Sequence, residues 1–235
     1  MRRVKSRNSG AREREGGKKL SATIFFGGLC FLVLGATPVQ AQLDFGADAV
    51  SRYVWRGLDF GNSAAVQPWI AYTVGNMEVG AWSSWGLTSP VANENDLYVS
   101  YSTESFGVIL TDYYFPVSSG PSGTWGFFEF DQDATPHIIE LLGSATFGDF
   151  AAALGMNVYG DDDNSIYAEC SYDWYAGEYV NSSVVFGLGN GVYNPIDGEF
   201  YPVQVGLSAS KDSYFASYII NPKIAVSWLV FRLTI

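Results

Sequence analysis

The stretch LDFGADAVSRYVWRG, residues 43–57, decides how this chain is read. Its odd positions carry Leu43, Phe45, Ala47, Ala49, Ser51, Tyr53 and Trp55, and its even positions Asp44, Gly46, Asp48, Val50, Arg52, Val54 and Arg56. A strand sends successive side chains to opposite faces. An extended backbone would therefore put an apolar face ending in Tyr53 and Trp55 opposite a face with two acids and two arginines. The period is two, which predicts a strand over 43–56.

The same split recurs along the chain. Ile166, Ala168, Cys170, Tyr172 and Trp174 alternate with Ser165, Tyr167, Glu169, Ser171 and Asp173, and Met77, Val79, Ala81 and Trp85 alternate with Glu78, Gly80, Trp82 and Ser84. No amphipathic helical window competes. About twelve strand-like segments are expected, at 43–56, 64–74, 77–86, 95–103, 106–115, 136–147, 150–159, 165–175, 178–188, 200–210, 213–220 and 224–235. Their lengths, near ten residues, suit tilted strands that cross a bilayer. Tight connections (GN, TES, GD, AGE, KD) alternate with long ones, among them residues 116–135, although the final connection, NPK, is shorter than that pattern asks. The expected fold class is all-β, a transmembrane antiparallel up-and-down β-barrel.

A soluble sandwich would show the same alternation, with its apolar face buried instead of turned to lipid. Three features favour the membrane. Aromatics such as Trp55, Tyr72, Trp85, Tyr113 and Trp174 fall toward strand ends, as an interfacial girdle requires. Lysine, which guards soluble sheet edges, is nearly absent. The chain also ends inside a strand, AVSWLVFRLTI, with Leu229, Phe231, Leu233 and Ile235 on one face. Such an end can close a barrel, and it resembles the C-terminal signal read by the outer-membrane assembly machinery, with Ile235 in place of the usual Phe.

Residues 1–41 have a different chemistry. A basic head precedes the apolar run ATIFFGGLCFLVLGA, and TPVQA follows with Val39 and Ala41 placed for a signal peptidase. A cleavable signal peptide over 1–41 and a single barrel domain over 42–235 are expected. Eight of the 13 Lys and Arg, but two of the 24 Asp and Glu, lie in that leader, which leaves 5 and 22, a formal charge of −17. Nucleic acid is excluded as a partner by repulsion. Cys170 alone remains, so no internal disulfide forms.

The polar strand faces define a candidate lumen with Asp44, Asp48, Glu78, Asp96, Glu140, Glu169 and Asp173 against Arg52, Arg56 and Arg232. Carboxylates in excess favour cations. The two arginines of the opening stretch read as counter-charges, paired either within the strand, where Asp48 and Arg52 are close along one face, or with carboxylates on neighbouring strands. Trp82, Trp228 and the arginines could instead fill so narrow a lumen. The faces of the strand holding Asp112 are both apolar and leave its direction open.

The segments SRYVWRG, GNSAAVQPWI, NDLYVSYS, TDYYFP and NVYGDDDNSIYAECSYDW, spread over residues 44–174, resemble the TorF-like porin family of bacterial outer-membrane proteins. The S-x-Y-x-W-R-G start is the most specific element. The resemblance implies an outer-membrane barrel and a pore, and it brings no catalytic or substrate-binding residues.

The expected function is a passive, weakly cation-preferring pore in the bacterial outer membrane. Its expected partners are outer-membrane lipids, the assembly machinery and small solutes or ions. The alternative is a non-conducting structural or adhesive barrel whose long loops, with Trp125, Phe127 and Phe128, bind a surface partner. No enzyme is expected: the single histidine, His137, has no nucleophile motif around it and reads as a polar residue at the rim. No cofactor or metal is expected either. Asp131 and Asp133, and the run Asp161, Asp162, Asp163, lack the Gly turn and distal Glu of a calcium loop and read as turn formers.

Overall fold

The computed structural model describes residues 41–89, 93–116, 126–131 and 135–235. Residues 1–40 of the expected leader, Trp125 and Asp133 lie outside them, while Ala41, its expected last residue, is the first of β1. Twelve strands form one closed antiparallel barrel, each beside its neighbour in sequence. They are β1 (Ala41–Val50), β4 (Ala65–Val74), β5 (Met77–Gly86), β6 (Glu94–Ser102), β7 (Phe106–Tyr114), β8 (His137–Phe147), β9 (Phe150–Tyr159), β10 (Ile166–Ala176), β11 (Asn181–Gly189), β12 (Tyr201–Lys211), β13 (Tyr214–Asn221) and β14 (Val226–Thr234). Two short strands, β2 (Val54–Trp55) and β3 (Leu58–Asp59), form a separate hairpin.

Closure joins the first strand to the last. β1 pairs with β4 along its whole length, from Ala41↔Val74 to Val50↔Ala65. Its other edge meets β14 from Asp48↔Thr234 to Val50↔Arg232. Backbone bonds between Ala47 and Ile235, in both directions at 2.9–3.0 Å, extend this seam by one step. A closed sheet has no free edge to template aggregation.

The connections segregate by length. Residues 75–76, 103–105, 148–149, 177–180 and 212–213 turn tightly at one end, with Gly148 (φ +62°) and Asp212 (φ +51°) taking the positive φ that two-residue hairpins need. The longer connections 51–64, 87–93, 115–136, 160–165 and 190–200 lie at the other end. Residues 222–225 are short there because Asn221 holds them in a turn, its Oδ1 accepting from the amides of Lys223 (2.9 Å) and Ile224 (3.3 Å).

The outward face is apolar and exposed. At mid-strand it carries Leu97, Leu110, Leu141, Leu154, Leu207 and Leu229, with Leu154 59% exposed. Near the tight turns it carries exposed aromatics: Tyr72, Tyr101, Phe106, Phe147, Phe150, Tyr172, Trp174 and Tyr214. The buried side chains are mostly polar, among them Gln67, Ser84, Glu94, Thr111, Glu140 and Asn157. A water-soluble protein has the opposite arrangement.

The largest departure from the sequence expectation is in the opening stretch. Its strand ends at Val50, and residues 51–64 fold back into the barrel. Tyr53 and Trp55 are therefore inside, not on the outer face: Tyr53 is buried and Trp55 packs on Tyr113 and Tyr193. The cause is the Arg56-Gly57 pair, whose φ values of +50° and +74° make the two-residue turn of the β2–β3 hairpin. Tyr113, also expected outside, points inward and donates to Glu140 at 2.9 Å.

Candidate functional site: a hairpin folded into the lumen

The insert is fastened to the lumen wall by its turn. Arg56 is 8% exposed and forks onto Glu140 of β8, Nη1 to Oε1 at 2.5 Å and Nη2 to Oε2 at 3.0 Å. Nη1 also donates to the Tyr193 hydroxyl at 2.6 Å. The guanidinium lies over the rings of Trp55 and Tyr167, 4.2 and 4.4 Å from their centroids. Burial is the largest single influence on this guanidinium and lowers its pKa, but the hydrogen bond to Glu140 and the charges of Tyr193, Glu140 and Tyr113 together outweigh it and hold the group firmly charged.

Tyr193 belongs to a short 3-10 turn, Gly191–Tyr193, in the 190–200 connection. Its hydroxyl stands 3.2 Å from Glu140 Oε1 and from Asn157 Oδ1. Burial raises the pKa of this phenol, and so do the neighbouring carboxylate and its hydrogen bond. It stays neutral and can both donate and accept.

Two further bonds fix the hairpin. Asn221 of β13 donates from Nδ2 to the Gly57 carbonyl at 2.9 Å, and Tyr53 donates to Glu94 Oε2 of β6 at 2.9 Å. A Cβ at position 57 would stand 1.9 Å from the Val203 carbonyl oxygen, so the turn touches the wall where only glycine fits. Within the insert, Arg52 pairs with Asp59.

The insert divides the lumen. Toward the long connections lies an apolar cavity of about 490 Å³, bounded by Trp55, Leu58, Phe60, Tyr113, Tyr193 and Trp228. Toward the tight turns lies one of mixed polarity and about 390 Å³, where Arg52, Gln67, Glu169 and Arg232 face Val185, Phe215 and Ile219.

The residues expected to line the lumen meet in several groups. Arg56 and Glu140 form the fork, while Asp96 is buried on β6 beside Glu94. Glu78 accepts from Thr73 and Tyr98, both at 2.9 Å, and Glu169 accepts from Tyr167 at 2.6 Å. Asp44 and Asp173 are exposed toward the tight-turn end of their strands. The expected pairing of Asp48 with Arg52 does not form, because Arg52 has left the strand. Asp48 instead accepts from Thr234 at 2.6 Å and lies 3.8 Å from Arg232, whose guanidinium covers Phe215.

Several contributors were missed from sequence, Trp55 with them. Glu94 falls one residue before the expected strand, Tyr193 sits in a connection, and Tyr53 and Tyr113 were assigned to the wrong face. The Arg-Gly dipeptide flanked by Val-Trp and Leu-Asp was the available hairpin signal.

Asp112 and His137 occupy the opposite face of the wall. Asp112 pairs in register with Ile139, and its carboxylate meets His137 Nδ1 at 2.8 Å. His137, expected as a polar residue at the rim, is the first residue of β8 and is fully buried there, with Nε2 2.8 Å from the Phe127 carbonyl and its ring stacked between Tyr114 and Phe130. In the 160–165 turn the carboxylate of Asp161 is taken up by the Ser165 and Asp163 amides and the Asn157 amide group, at 2.8–3.2 Å. These bonds hold its pKa below the ordinary value against the opposing pull of partial burial.

No protein-family model, curated protein or solved structure matches this chain, so its function is argued from this geometry.

Proposed function

We propose that the chain is a bacterial outer-membrane β-barrel whose lumen is a narrow, weakly cation-preferring passage for small solutes or ions, constricted by the inserted hairpin. The observation that carries this reading is the inversion of the barrel, an exposed apolar belt around a polar interior. Water would leave those leucines and aromatics at a cost of roughly 25 cal/mol per Å² of apolar surface, whereas lipid tails solvate them. The aromatic ring near the tight turns fits a membrane interface. The resemblance of SRYVWRG to the TorF-like porins supports the same reading. The closing strand β14 is then the strand presented to the assembly machinery.

Cation preference follows from the lumen inventory. Asp48, Glu78, Glu94, Asp96, Glu140 and Glu169 outnumber Arg52, Arg56 and Arg232. Fixed carboxylates along a low-dielectric wall raise the local concentration of cations. No catalytic role is assigned, since both ring nitrogens of His137 are engaged by Asp112 and the Phe127 carbonyl.

A second reading is favoured by the packing of Arg56 itself: a non-conducting barrel, permanently stoppered, whose long loops bind a surface partner. Reversal potentials in planar bilayers under a salt gradient separate the two, combined with heat-modifiable gel mobility as a check on barrel formation. Cation-selective conductance supports the passage. A folded barrel that never conducts, even with residues 52–62 deleted, supports the stoppered scaffold.

A further inference from the structure

Buried carboxylates are stable only when something compensates their charge. Every arginine and lysine of the barrel is already engaged: Arg52 with Asp59, Arg56 with Glu140, Lys223 with Asp197, Arg232 with Asp48 and Phe215, and Lys211 over Tyr179. Glu94 and Asp96 have no basic partner among the described residues. Residues 90–92, 117–125 and 132–134 include no lysine or arginine either.

These two acids lie two residues apart on the inward face of β6, 1% and 7% exposed. Glu94 has one oxygen occupied by the Tyr53 hydroxyl. Asp96 Oδ1 is buried without a hydrogen-bond partner, the only such side-chain atom among the described residues. An orphaned carboxylate oxygen in the interior costs several kcal/mol if nothing meets it.

The walls around Asp96 are aromatic. Its register partners on the two flanking strands are Trp82 of β5 and Tyr113 of β7, both inward. Tyr53 closes the third side, its ring 5.6 Å from that of Trp82. Carboxylate oxygens among electron-rich ring faces form a setting suited to a compact positive charge, which gains from both.

We propose that Glu94 and Asp96, walled by Trp82, Tyr113 and Tyr53, form a binding site for one monovalent cation, an alkali ion or a small alkylammonium, held at the level of the inserted hairpin. No third acid joins the pair among the described residues, and the aromatic walls favour a singly charged guest over a divalent metal, which binds through oxygens alone. Bound there, the cation supplies a counter-charge that the described residues do not, and it supports the Tyr53 contact that holds one arm of the hairpin. The site needs only the carboxylate pair and its walls, so it stands whether or not the barrel conducts.

The test uses the folded full barrel in detergent micelles at constant ionic strength. Potassium, sodium or methylammonium chloride replaces N-methylglucamine chloride, whose cation is too large to enter. The expected result is a saturable binding heat and a saturable rise in the unfolding midpoint, both lost in Asp96→Asn and in Glu94→Gln. Equal behaviour in all four salts overturns the proposal, as does a response that persists in both variants. Infrared spectroscopy covers the remaining outcome without any variant of uncertain folding. A protonated-carboxyl band in the wild type that does not change when potassium replaces N-methylglucamine assigns the pair to a proton and rejects the cation.

Discussion

Arg56 and Glu140 are 84 residues apart in sequence and meet as a two-point fork inside the barrel. Both are nearly inaccessible to solvent, so each depends on the other for charge compensation. Removing one partner leaves an unpaired buried charge, which costs about 3–5 kcal/mol. Arg56→Met and Glu140→Gln should each lower the denaturation midpoint strongly. The double variant Arg56→Met/Glu140→Leu should lose less than the sum, as a double-mutant cycle in guanidinium would measure.

Gly57 tests whether the hairpin is the constriction. A methyl group there collides with the Val203 carbonyl and disfavours the positive φ of the turn. Gly57→Ala should leave the outer strands paired but dislodge residues 51–64, giving larger and more frequent single-channel openings than the wild type. Unchanged conductance in a variant with altered Trp55 fluorescence would mean that the hairpin does not set the resistance.

The outer face makes a graded prediction. Leu154→Lys puts a charge at mid-strand and should destabilise the barrel in lipid vesicles by about 2–4 kcal/mol, whereas Tyr214→Lys, at the tight-turn end, should cost about 0–1 kcal/mol. If the two cost the same, this face does not lie against lipid.

His137 pins the 126–131 segment to the barrel wall. The segment carries Phe127, Phe128 and Phe130, so chymotrypsin reads its release directly. His137→Ala removes the Asp112 and Phe127 hydrogen bonds together with the ring against which Tyr114 and Phe130 stack. Cleavage in this loop should accelerate, and cleavage elsewhere should not.

Acid should loosen the 160–165 turn before the barrel. The Asp161 carboxyl is held below its unfolded value, so its stabilisation is complete above about pH 4 and fades as pH falls through the depressed folded value. Amide exchange at Asp163 and Ser165 should rise at low pH. Asp161→Asn should abolish that dependence.

The wall of this barrel was legible because each strand carries its own two-period code. Residues 150–159 read the same in sequence and structure, and 64–74 and 77–86 differ by no more than a residue. The lumen was harder to read. Residues 51–56 keep the alternation of β1, and nothing in that alternation says that the segment turns inward after Val50. The deciding information was the Arg56-Gly57 turn together with partners as distant as Glu140, Tyr193 and Asn221, and such pairings leave no local trace. Tyr113 was misplaced for the same reason, since both faces of β7 are apolar by residue type and only the Glu140 contact distinguishes them.

The seam between β1 and β14 also implies an order of folding. Every other joint of the wall links consecutive strands through a connection of at most 22 residues, so hairpins can zip locally, one after another. The closing bonds join Ser51 to Phe231 and Asp48 to Thr234, 180 and 186 residues apart. Loop-closure entropy therefore makes the seam the last joint to form. The hairpin begins at Val54, three residues after Ser51 leaves that seam, and its anchors lie on β6, β8 and β13. Threading the stopper and sealing the cylinder are thus neighbouring steps of maturation, and a stopper that is slow to seat should delay closure of the cylinder without preventing it.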